Sequence, residues 1–160
     1  MNEHVTLPFL TAYDTDFFEW TQEQAARLRA GQFDHVDLEN VAEEIESLGR
    51  RDRREIESQL ARLIVHLLKL QSGRDRLPRA DWQDTVNSAR TDIELALEDS
   101  PSLRRRLPEF FVRQWITGRR QAAAALAKFG DQAGADVIAG LEEPPFTLAQ
   151  VLDPDFFPGD

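Results

Sequence analysis

Residues 37–71 read DLENVAEEIESLGRRDRREIESQLARLIVHLLKLQ, and this stretch decides the fold. In its second half Ile56, Leu60, Leu63, Ile64, Leu67, Leu68 and Leu70 recur mostly at steps of three and four. That is the helical period, and the stripe is broad enough to serve as the main core of a helical domain. Arg62, Val65 and Lys69 fall on the opposite side. The first half repeats the period with Leu38, Val41, Ala42, Ile45 and Leu48, beside a separate acidic row of Glu39, Glu43 and Glu46. Asp37 supplies the N-cap. Gly49 stands between the halves and is expected to end or bend the helix, which places two helices at 37–48 and 50–71.

Working outward, a helix over 14–30 precedes this stretch. Asp16 and Glu19 have capping-box spacing, and Phe17, Thr21, Ala25 and Leu28 share a face with Phe18 beside them. Gly31 is its natural stop. On the other side, Gln71 to Pro78 reads as a loop. A helix over 79–99 follows, burying Trp82, Val86, Ala89, Ile93, Ala96 and Leu97. Ser100-Pro101 is a cap followed by proline at the first helical position, which opens the helical segment 101–129: one short turn, then, after the interruption at Pro108, a longer helix over about 108–129. Its face is Phe111, Trp115, Gly118, Ala122, Leu126 and Phe129. Gly130-Asp131 starts a short helix over 131–139. The tail, 140–160, combines Pro144, Pro145, Pro154 and Pro158 with Phe146, Leu148, Val151, Leu152, Phe156 and Phe157, too apolar for a disordered segment. No segment alternates like a half-buried strand. The expected fold is all-α: one domain over 1–160, an irregular helical bundle of about five helices with an ordered, proline-interrupted tail.

Composition narrows the chemistry. A chain of 160 residues is long enough for a self-sufficient core. It has no cysteine, which excludes disulfides, thiolate metal sites and cysteine nucleophiles and fits a reducing cytoplasm. No apolar run approaches the roughly 20 residues that span a bilayer. Met1 to Leu10 lacks the basic-then-apolar order of a signal peptide. The net charge of −10 disfavours phosphate polyanions. That charge is unevenly laid out: residues 1–49 carry −9, residues 50–129 carry +6 and residues 130–160 carry −7. Either the acidic ends pack beside the basic middle, or the arginines meet an acidic partner or a second copy of the chain.

Several segments together resemble a known family: Tyr13–Trp20, Asp37–Arg50, His66–Gln71, Trp82, Asp99–Leu103, Phe146–Leu148 and Val151–Phe156. The chain resembles, over nearly its whole length, the bacterial family catalogued as domain of unknown function twenty-nine. The resemblance implies an all-helical fold and a bacterial origin. It brings no activity, substrate, cofactor or catalytic residue with it.

The residues themselves leave few catalytic routes. No glutamate stands three before His4, His35 or His66, and no two histidines lie four apart, so neither the di-iron nor the zincin pattern is present. Phosphate-cradling glycine loops and a nucleophile elbow are absent as well. The candidate polar cluster is Glu39, Glu43 and Glu46 with Arg50, Arg53 and Arg54, paired across a turn at Gly49, with His66 at the edge of the apolar face. His66 is either a boundary histidine hydrogen-bonded to a carbonyl or carboxylate, or a proton-transfer group. The favoured function is a cofactor-free cytoplasmic interaction or adaptor module, its partner an unidentified protein or a second copy in a homodimer. An enzyme or small-ligand binder using a carboxylate–histidine pocket comes second. A nucleic-acid-associated regulator using the arginine clusters comes third.

Overall fold

A computed structural model of the chain describes residues 13–74 and 78–159. The expectations for Met1 to Leu10 and for His4 lie outside the described residues. Those described form six α-helices and two 3-10 turns, with no strand: α1 (Phe17–Arg29), α2 (Leu38–Ser72), α3 (Arg79–Asp99), α4 (Leu107–Lys128), α5 (Gln132–Ala139) and α6 (Leu148–Leu152). The turns are Phe33–His35 and Pro101–Arg106. The all-α architecture is as expected. Contacts divide the chain into two compact units, Met1–Arg50 and Arg51–Asp160, where the sequence reading treats it as one domain.

In the first unit, the Asp16 carboxylate accepts the backbone N–H of Glu19 at 3.0 Å and starts α1. Gly31, at φ +70°, takes the chain out of it in a conformation that a side chain would strain. The buried side of α1 is not the expected one. Trp20 and Gln24 are buried, while Phe17, Phe18 and Leu28 are exposed. Tyr13 folds its ring edge-on against Phe17 and Trp20, with centroids 5.7 and 4.9 Å away. The Gln24 Oε1 accepts the backbone N–H of Asp37 at 2.8 Å, tying α1 to the start of α2. A polar residue therefore does a core residue's work, which a hydrophobic period cannot register.

The largest departure from expectation is at Gly49. α2 runs unbroken from Leu38 to Ser72, in place of two helices and a turn. A mid-helix glycine costs only about 1 kcal/mol. No proline stands beside it, and its φ is not positive. Ion pairs one turn apart bracket it, Glu46–Arg50 at 3.2 Å and Arg53–Glu57 at 3.3 Å.

The second unit is built on the apolar second half of α2. Ile56, Leu60, Leu63, Ile64, Leu67 and Leu68 cluster with Val86, Ala89, Ile93 and Leu97 of α3 and with Leu107, Phe110, Trp115, Ala122 and Leu126 of α4. Burying each large side chain contributes about 1.5–3 kcal/mol. α4 lies close on α2 because position 118 is glycine. A Cβ there would stand 2.7 Å from Ile64 Cγ2. Phe110 is fully buried although the expected face omits it, whereas Phe129, which caps α4, is exposed. The segment 101–129 is, as expected, a short turn followed by a longer helix: a 3-10 turn and then α4, with Pro108 in the first turn of α4, where its missing N–H has no helical partner to lose. The Ser100 hydroxyl donates to Asp52 at 2.7 Å instead of capping.

The tail is ordered by arginines. Its prolines and short α6 leave carbonyl groups without helical donors. Arg90 of α3 is buried and donates to three of them, on Val151 at 3.0 Å, Pro154 at 3.3 Å and Phe156 at 2.8 Å. Its guanidinium also lies 5.1 Å from the Phe157 ring centroid. Arg79 bridges Leu70 and Pro158 through their carbonyls.

Candidate functional site

The first turns of α2 show how the candidate surface arises. Asp37 caps the helix, accepting from the Asn40 side-chain amide at 2.7 Å and its backbone N–H at 3.3 Å. The Asn40 amide holds the Asp37 carboxyl below the usual carboxylate range. One flank of the helix is covered within the unit. Val41 is half-buried, and the Tyr13 hydroxyl donates to the Glu44 carboxylate. That bond, reinforced by burial and neighbouring carboxylates, pushes the Tyr13 phenol up to about 12.

The remaining apolar face is bare. Leu38, Ile45 and Leu48 are 61%, 64% and 61% exposed, and Ala42 between them is exposed too. These positions continue, in helical phase, into Ile56, Leu60, Leu63 and Leu67, which are completely buried. One stripe is thus core in one half of the helix and uncovered in the other. Alongside the bare part run Glu39, Glu43 and Glu46, all exposed.

The continuous helix redistributes the expected polar cluster. Glu46 pairs with Arg50 on the next turn, and Arg53 pairs with Glu57 rather than with the acidic row. Glu39, Glu43 and Arg54 make no ion pair among the described residues. The exposed Glu46–Arg50 pair contributes about 0.3–0.5 kcal/mol. Glu46 and His66 lie on one helix, several turns apart, and the helix does not bring them together. Among the described residues no three histidine, aspartate or glutamate side chains converge as metal ligands.

His66 is half-buried, and its Nδ1–H donates to the Arg62 carbonyl at 3.0 Å, one turn back. Burial lowers its pKa below the ordinary 6.5, and the nearby positive charges of Lys69 and Arg62 act the same way against the opposing carbonyl bond. The unfolded chain therefore binds this proton more readily than the folded one. Stability is expected to fall as pH drops below about 6.5 and to level off below the folded pKa, with a slope of at most about 1.4 kcal/mol per pH unit. Urea unfolding across this range checks it: His66→Gln is expected to flatten the profile relative to the parent, and parallel profiles would contradict the account.

Arg53 and several further arginines of the middle pair with acids of that same middle. Arg104 pairs with Glu94 at 3.0 Å, Arg106 with Glu109 at 3.1 Å, and Arg113 with Glu57 at 3.2 Å and Glu109 at 2.9 Å. Arg119 donates to the Leu141 carbonyl. The acidic tail meets Arg79 and Arg90 through backbone carbonyls.

Lys69 is the residue that the periodic reading misplaces. Assigned to the side away from the core, it is buried over the Trp82 ring. A hint lies in the sequence, since Lys69 is flanked by Leu68 and Leu70 near the end of a helix apolar on most sides. No helix among the described residues is long and apolar enough to cross a membrane.

No curated protein and no solved structure matches the chain significantly. The family described as Domain of unknown function DUF29 matches residues 12–157, from just ahead of the Tyr13 ring cluster to the Phe157 contact with Arg90, and the chain belongs to that family.

Proposed function

We propose that this protein is a cofactor-free interaction module whose first unit docks a cationic amphipathic helix of a partner protein along the bare half of α2. The observation that carries the reading is the uncovered stripe Leu38, Ile45 and Leu48, continuous in phase with the buried core of the same helix. A helix laid there would extend, in the ordinary ridge-into-groove manner, the packing that the rest of α2 already receives. The partner's chemistry follows from charge. Residues 1–49 hold 11 acids against 2 bases, and the Glu39, Glu43, Glu46 row borders the stripe, so lysine or arginine flanking an apolar seam is the matching pattern. A chain without cysteine is in keeping with such a role in a reducing cytoplasm.

The test uses the full chain and a synthetic leucine–lysine amphipathic helix of about 18 residues, against a scrambled peptide of the same composition. Binding of the amphipathic peptide is expected to weaken at least about tenfold in Ile45→Ser/Leu48→Ser, with the thermal midpoint unchanged because both positions are exposed. Equal binding by the scrambled peptide or by the double variant would overturn the proposal. So would a concentration-dependent dimer that the double variant abolishes, since the occupant would then be a second copy.

A further inference from the structure

The second unit contains a cavity of about 560 Å³, in the size range of small-molecule sites. Its walls include Lys69, Trp82, Leu126, Phe129, Asp81 and Asp131. Lys69 is 7% exposed, and its Nζ lies 4.5 Å from the Trp82 ring centroid. An ammonium group carries three donors and no acceptor. Among the described residues Lys69 Nζ has no hydrogen-bond acceptor and no ion pair. The ring beneath it offsets part of the desolvation cost, but an aromatic face does not saturate three N–H groups.

The carboxylates in the wall do not answer it. Asp131 is already engaged: its Oδ2 accepts the backbone N–H of Arg74 at 2.8 Å, and its Oδ1 accepts that of Gly134 at 2.9 Å. Those bonds hold its carboxyl below the usual range. Asp81 is exposed in the first turn of α3. The rest of the lining is apolar, with Leu126 buried and Phe129 79% exposed at the end of α4. The cavity therefore combines one unsaturated cation, an apolar wall and two fixed negative charges.

We propose that this cavity binds a small organic monocarboxylate with an aromatic or aliphatic body, the carboxylate receiving Lys69 and the body lying against Leu126 and Phe129. The ligand's first negative charge is met by Lys69; a second would find no further cation among the described lining residues and would face Asp81 and Asp131. This argues for a carboxylate over a phosphate dianion.

Isothermal titration calorimetry of the full chain with phenylacetate tests the site, with phenylacetamide as its neutral counterpart and inorganic phosphate as the dianion. Phenylacetate is expected to bind, and phenylacetamide and phosphate at least about tenfold more weakly. Lys69→Met is expected to cost phenylacetate affinity by a similar factor, about tenfold, without lowering the thermal midpoint, since it replaces a buried charge with an apolar chain of like length. Phenylacetate should also raise the Lys69 ammonium pKa, followed by NMR of the Nζ. No phenylacetate binding, equal binding of acid and amide, or unchanged affinity in Lys69→Met each overturns the proposal.

Discussion

Leu63→Asp is expected to abolish the cooperative thermal transition. Leu63 is completely buried in the apolar cluster that α2, α3 and α4 share. A carboxylate there must remain charged without a partner or take up a proton, and the leucine packing is lost in either case. Together these cost about 4 kcal/mol or more, against a typical total stability of about 5–15 kcal/mol. Circular dichroism on heating measures it. The informative control is Ile45→Asp, on the same stripe of the same helix but exposed, which is expected to change stability by no more than about 0.5 kcal/mol. A wild-type midpoint in Leu63→Asp would contradict the assignment of the core. An equally large loss in Ile45→Asp would show that the first half of the stripe is covered in solution.

The second large effect is expected at Arg90. Arg90→Met leaves the carbonyls of Val151, Pro154 and Phe156 without their donor and removes the cation above Phe157. Hydrogen bonds to a charged group contribute about 1.5–3 kcal/mol each, and a buried network loses more than its average when one member is deleted, so a loss of about 3–5 kcal/mol is expected. It should be accompanied by release of the tail. Hydrogen exchange at the amide of Val151 and proteolysis near Asp155 are expected to accelerate in the variant. Arg90→Lys is not expected to restore protection, because one ammonium cannot reach three carbonyls that a planar guanidinium spans. Protection equal to the parent in Arg90→Met would mean that the apolar contacts of Phe146 and Val151 hold the tail by themselves.

Much of this fold is legible from residue order, and the misreadings have definite causes. Asp16, Asp131 and the apolar stripes of α3 and α4 report local geometry, and local geometry is what caps and periods encode. Gly49 signals a stop when read locally, but a glycine inside a helix costs too little to break one held by ion pairs on either side. On α1 the apolar Phe17 and Phe18 outweigh Trp20 and Gln24 in any periodic reading, because no period anticipates that Gln24 accepts the Asp37 amide across thirteen residues. The candidate polar cluster depends on a turn at Gly49, and without that turn its members spread along one continuous helix.

The helical class, the apolar stripes of α2, α3 and α4, the caps Asp16, Asp37 and Asp131, and the apolar character of the tail were determined by the sequence alone. These are properties of single segments, set by side-chain spacing and backbone preference. Only the tertiary structure decided which stretch of the α2 stripe is covered, that Lys69 is enclosed against Trp82, and that Arg79 and Arg90 hold the tail. The physical reason is that periodicity says a helix has an apolar face, whereas burial needs a second surface to meet it. Ile45 and Leu63 occupy equivalent positions in one pattern along the chain, and packing alone separates them.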